Sequence, residues 1–151
     1  MTPTRVSRIL IVTDVAAPSD ELVAAIRQRR DQGPAQFRVV VPNPARAELH
    51  LVHPERHDRA REAEDVLRRA LEVLELAADG RVIGSVSVRH DPMDAVEETL
   101  FSEPIDEIML HLAPHGLSIR LHQDLQHRLQ HYGLPILVVP HRQVTEGGAS
   151  R

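Results

Sequence analysis

Apolar positions along the chain come in two rhythms. Arg8–Thr13 (RILIVT) is short and unbroken, as expected of a strand covered on both faces. Phe37–Val41 (FRVVV), Ile108–Leu112 (IMLHL) and Pro135–Val139 (PILVV) also read as strands. In Val82–Val88 the residues Val82, Gly84, Val86 and Val88 alternate with Ile83, Ser85 and Ser87, which predicts a half-exposed strand at or near a sheet edge.

Between the strands the period lengthens. Ser19 or Asp20 can cap a helix that buries Leu22, Val23 and Ile26, carries Asp20 and Glu21 at the positive end of its dipole, and stops at Gly33-Pro34. Ala63, Val66, Leu67, Ala70, Leu71 and Leu74 recur at three- and four-residue steps and predict a long helix from about Asp58 to Ala78. Arg61/Asp65, Glu64/Arg68 and Asp65/Arg69 fall at four-residue spacing on its solvated face. Asp79-Gly80 then turns the chain. His90-Asp91-Pro92 opens a short helix from Met93 to about Phe101, and a last helix runs from about Leu117 to Tyr132, with Gly133 as its C-cap. Residues 43–54, with two prolines and no sustained period, read as a loop insertion.

Five strands alternating with four helices imply crossover units and a parallel sheet. Right-handed crossovers restrict such a chain to a doubly wound, flavodoxin-like three-layer α/β sandwich with order 2-1-3-4-5 or 3-2-1-4-5. The edge character of the third strand favours 3-2-1-4-5. A single domain over residues 1–141 is expected, with a disordered polar tail over 142–151.

Composition narrows the function classes. Hydrophobic residues make up 42% of the 151, but only Phe37, Phe101 and Tyr132 are aromatic, so the core must be aliphatic. Few aromatics argue against a base-stacking surface, and a formal charge of −4 without a basic cluster argues against a phosphate-backbone binder. No nucleic-acid partner is expected. The absence of cysteine removes disulfides, thiolate metal sites and cysteine nucleophiles. The apolar run at Ile9–Val12 is too short for a signal segment, and no stretch is long enough to span a membrane; a cytoplasmic location is expected.

Across about residues 6–140 the chain resembles the universal stress protein family, and within it the divergent, actinobacterial-type members. RILIVTD resembles the family's opening strand ending in Asp, HDPMDAVEETL its Gly-x-Pro helix start, and IDEIMLHL, HGLS and LPILVVP its last strand, loop, helix and strand. The resemblance implies the adenine-nucleotide α-hydrolase-like sandwich, the order 3-2-1-4-5, and frequent homodimers through the last strand. ATP-binding members carry Gly-x2-Gly-x9-Gly-Ser/Thr after the fourth strand, where bare N–H groups and a helix N-terminus receive the phosphates. Laid on this sequence, the first glycine falls at His111 and the second at Pro114; with a one-residue deletion, the final pair falls near Gln123 and Asp124. His111 adds a ring where the backbone must approach, and Pro114 removes an N–H donor. Asp124 would set a carboxylate near triphosphate charge, repulsive by ~1–4 kcal/mol at contact range.

In an open α/β sheet a ligand sits outside the carboxyl ends of the strands, at the switch point. This places Asp14, Ala16, Asp91, Ala113, Pro114, His115, Gly116 and Ser118 around one crevice, where Asp14, Ala16, Ala113, His115, Gly116 and Ser118 are the candidate cofactor contacts. Asp14 and His115 could form an acid/base pair, but no Gly-x-Ser-x-Gly elbow or Walker loop accompanies them. No catalytic residue is assigned. Opposite the apolar arc of Leu117, Leu121, Leu125, Leu129 and Tyr132, the residues Asp124, His127 and His131 share a face; a metal site wants three or four fixed ligands and a second shell, so a wet polar face is expected. His50, His53 and His57 lie in or beside the insertion with no nameable partner. His111, within an apolar strand, is expected to be buried, hydrogen-bonded and neutral at pH 7.

Two functions follow. One is a non-catalytic, dimeric regulatory module without ordinary ATP binding and without a cofactor. The other is a nucleotide-binding protein for ATP or AMP that uses Asp14, Gly116 and Ser118 in a variant loop.

Overall fold

In a computed structural model of the protein, residues 5–42, 55–87, 92–112, 123 and 126–140 are described. The elements in chain order are β1 (Ser7–Thr13), α1 (Asp20–Asp31), β2 (Ala35–Val41), α2 (Glu55–Ala78), β3 (Ile83–Val86), α3 (Pro92–Ser102), β4 (Glu107–His111) and β5 (Ile136–Val138). Residues 126–129 are helical and run into a 3₁₀ turn at Gln130–Tyr132, which ends at Gly133 in the left-handed conformation (φ 67°). The insertion at 43–54, the tail, and about half of the last helix lie outside the described residues.

All five strands are parallel, in the order β3-β2-β1-β4-β5. The expected edge strand is therefore at the edge. Because β1 lies in the middle, its run from Ile9 to Thr13 is buried, which is why that part of its sequence does not alternate.

Two aliphatic cores flank the sheet. Ile9 and Ile11 of β1, Phe37 and Val39 of β2 and Met109 of β4 pack under Leu22 and Ile26 of α1 and Ala70 and Leu74 of α2. On the other face Leu10, Val12, Val40, Ile108 and Leu110 pack with Val96 of α3 and Leu129 of the last helix. Phe37 is the one aromatic residue in either core. Phe101 is 77% exposed, and Tyr132, expected on the apolar arc, is instead 39% exposed at the surface. It meets the Phe101 ring edge-on at 6.2 Å, and its hydroxyl donates to Glu97 Oε2 at 3.0 Å. The hydroxyl explains the displacement: a buried phenol needs a partner, and its partner here is a surface carboxylate.

Local chemistry sets the element ends. Ser19 caps α1, its Oγ accepting the Leu22 N–H at 3.2 Å. At the end of α2, Asp79 rather than Gly80 takes the left-handed conformation (φ 53°), and Gly80 N–H reaches back to the Glu75 carbonyl at 3.2 Å. Arg30 of α1 donates to the Ala77 carbonyl at 3.1 Å, bringing positive charge to the α2 C-terminus, which has no basic residue in its own last turn. On the outer face of α2, Asp65 pairs with Arg69 at 3.0 Å as the spacing predicts, and it also takes Arg68, which the spacing assigned to Glu64.

Candidate functional site

The chain reverses its order of strand addition between β1 and β4, so the crevice at their carboxyl ends is the switch point. Thr13 and His111 are register partners there. Alternation from Ile9 and Ile11, and from Met109, aims both side chains at the face that α1 covers. The N-terminus of α1 therefore arrives beside two polar residues buried in an otherwise aliphatic layer.

The three parts are joined. His111 is fully buried, and its Nδ1 lies 3.0 Å from Thr13 Oγ1. Its Nε2 accepts the backbone N–H of Ser19 at 3.3 Å and lies 3.0 Å from Ser19 Oγ. An acceptor at Nε2 fixes the tautomer: the ring is neutral, with its proton on Nδ1 donated to Thr13 Oγ1. Thr13 Oγ1 also accepts the Val15 N–H at 3.3 Å, steadying the first step of the loop after β1. Ser19 Oγ in turn donates to the Pro140 carbonyl just beyond β5, at 3.1 Å. One latch thus ties the ends of β1, β4 and β5 to the cap of α1.

A serine hydroxyl 3.0 Å from an imidazole nitrogen has the spacing of a nucleophile and its base. The remaining contacts work against that use. The Nε2 lone pair is shared with the Ser19 amide, Ser19 Oγ is occupied in capping α1, and a threonine hydroxyl rather than a carboxylate holds Nδ1. The arrangement is a structural tie.

Of the residues assigned to the crevice from sequence, Asp14 and Ala16 are described, both half-buried in the loop that leaves β1. Asp91, Ala113, Pro114, His115, Gly116 and Ser118 lie outside the described residues, as do Asp124, His50 and His53. His111 is buried and hydrogen-bonded, as its setting in an apolar strand required. Thr13, Ser19 and Pro140 are the members that sequence reasoning did not assign to the crevice. Ser19 carried a signal as a helix cap; Thr13 was hidden in a run read only for its hydrophobicity. His127 and His131 stand edge-on with ring centres 6.2 Å apart on an exposed surface. Among the described residues no group of three or more His, Asp or Glu could hold a metal ion, and no helix is long and apolar enough to cross a membrane.

No family model matches the chain, and no curated protein matches it. Solved structures do. The universal stress protein from Archaeoglobus fulgidus superposes with a TM-score of 0.61 at 15% identity, over 88% of this chain and 93% of that one. The universal stress protein from the same organism in complex with dAMP superposes with a TM-score of 0.60 at 15% identity, over 88% and 97%. Strand order, parallel pairing and both flanking layers accord with these neighbours, and the fold of this chain is that of the universal stress proteins.

Proposed function

We propose that this chain is a divergent universal stress protein that acts as a cytoplasmic, non-catalytic regulatory module, dimeric through β5 and without ordinary ATP binding. The observation that carries the reading is the latch at the switch point. Where nucleotide-binding relatives of this fold are expected to open the backbone after β4, His111 fills the position with a buried ring. Its Nε2 consumes the Ser19 amide, while the Ser19 hydroxyl is held between the Leu22 amide and the Pro140 carbonyl, groups at the α1 N-terminus that an anion would otherwise use. A ligand in the crevice would have to displace three mutually satisfied polar groups.

The dAMP complex of the Archaeoglobus fulgidus protein favours a second reading, in which this fold holds an adenine nucleotide near Asp14 through a variant loop. A thermal-shift series with ATP, AMP and dAMP separates the two. Ligand at 100-fold over its dissociation constant would add ~2.7 kcal/mol, a readily seen shift. The first reading expects no response from the natural chain. A saturable rise with dAMP or ATP that disappears in Asp14→Ala would replace it with the second.

A further inference from the structure

The opposite end of the sheet carries a different site. A cleft of about 190 Å³ opens at the amino ends of the strands, lined by Arg8, Gln36, Arg38, Arg81, Glu103 and Ile105 among others. The pairing register explains how these residues meet. Arg8 lies opposite Gln36, and Arg38 opposite both Leu10 and Ile83. They therefore share one face of the sheet, the face on which Leu10 and Val40 pack with α3. Farther along the strands this face is apolar and covered. Toward their amino ends it turns polar, and Glu103-Pro104-Ile105, leaving α3, closes one side.

The charge of the cleft is unbalanced. Arg38 donates from Nη1 to Glu103 Oε2 at 3.0 Å, which accounts for the one carboxylate in the lining. Arg38 Nε is buried 2.9 Å from Glu103 Oε1 but lies off the line of a hydrogen bond, so that donor has no aligned acceptor. Among the described residues, the guanidinium groups of Arg8 and Arg81 and the Gln36 amide make no hydrogen bond or ion pair. Two uncompensated cations thus border one small cavity in a chain whose net charge is −4.

We propose that this cleft binds a small phosphate monoester. Two guanidinium forks and an amide offer more donors than one carboxylate can accept in plane, whereas the terminal oxygens of a phosphate accept from several directions. The volume is below that of a site for a drug-sized ligand, which limits the occupant to a few carbons beyond the phosphate. Ile105, and the Ile83 side chain at 57% exposure, supply apolar surface for those carbons. The site lies at the other end of the strands from the His111 latch and does not depend on whether a nucleotide binds there.

Calorimetric titration of the full chain with glycerol 3-phosphate, and separately with succinate, at fixed ionic strength tests the proposal. Saturable binding of glycerol 3-phosphate is expected, weakened roughly tenfold or more in both Arg81→Gln and Arg8→Gln, because each removes a charged donor. Arg81→Lys, which keeps the charge but loses the fork, should fall between. Asp14→Ala, at the opposite crevice, should bind like the natural chain. The proposal is overturned if glycerol 3-phosphate does not saturate at millimolar concentration, if succinate binds more tightly, or if neither glutamine variant weakens binding.

Discussion

At the scale of single residues, Ser19 does four things at once. Its hydroxyl accepts from Leu22, donates to the Pro140 carbonyl and lies against His111, while its amide donates to the same ring. Ser19→Ala removes the cap and the hydroxyl contacts but keeps the amide bond to Nε2. A loss of about 1–2 kcal/mol is expected in urea unfolding, the upper part of the range for caps, because the Pro140 carbonyl loses its hydroxyl donor besides. Ser19→Gly, which keeps a favourable cap backbone, should recover only part of this. Tyr132 offers a second test, aided by its being the only tyrosine in a chain without tryptophan. Its hydrogen bond to the Glu97 carboxylate, then desolvation and the charge of Glu97, raise its pKa above the ordinary 10.0, and Arg128 opposes them. A folded pKa above the unfolded value means that the protonated phenol stabilises the fold. That contribution is complete below pH ~10 and is lost as pH rises through the folded value. Titration by ultraviolet absorbance should show a midpoint above that of the denatured chain, and Glu97→Gln should bring it down.

At the scale of elements, the contact between α2 and the edge strand turns on Gly84. A Cβ built there would stand 2.6 Å from Leu67 Cδ1 and 3.2 Å from both Leu71 Cδ2 and Val39 Cγ1. Alanine could be taken up by turning the end of Leu67. Gly84→Val adds two further methyls against a strand and a helix at once, and should cost about 1–3 kcal/mol by denaturant unfolding. Most elements were legible from the apolar rhythm, since burying one helix face or both strand faces leaves a period in the sequence. Boundaries were less so. α2 begins at Glu55, three residues before the predicted start at Asp58, because Glu55-Arg56-His57-Asp58 is polar in sequence and adds nothing to the apolar rhythm. β2 starts at Ala35 and pairs through Gln36, polar because it faces the cleft rather than a helix. In the crevice, the position of His111 could be read, but its partners could not. Thr13 and Ser19 lie 98 and 92 residues away from it in sequence, and only the parallel register brings them together.

For the whole molecule, the proposed dimer rests on β5. Leu137 is 49% and Val138 38% exposed on this edge strand, side chains that a partner could cover. Light scattering at micromolar concentration should give twice the mass of one chain, and Leu137→Lys should give one chain's mass without altering the circular dichroism spectrum. A monomeric natural chain would remove the dimer from the proposed function while leaving the latch argument in place. Strand order and layer composition followed from alternation and crossover handedness alone. Assembly did not, because an exposed valine on an edge strand reads the same in sequence whether or not another chain covers it.

The two prolines that bracket β5 decide what such an edge can do. Val139 N–H points inward to the Leu110 carbonyl, and the Pro135 carbonyl inward to Ile108 N–H, so by alternation positions 136, 138 and 140 face outward. Pro140 has no N–H to offer, and its carbonyl is already taken by Ser19. Along β5, among the described residues, an incoming strand would therefore find outward donors only at Ile136 and Val138. Two rungs are too few to propagate a continuous sheet from molecule to molecule. The edge is sticky through its side chains and blunt through its backbone, a combination that permits a closed pair while resisting fibrous aggregation.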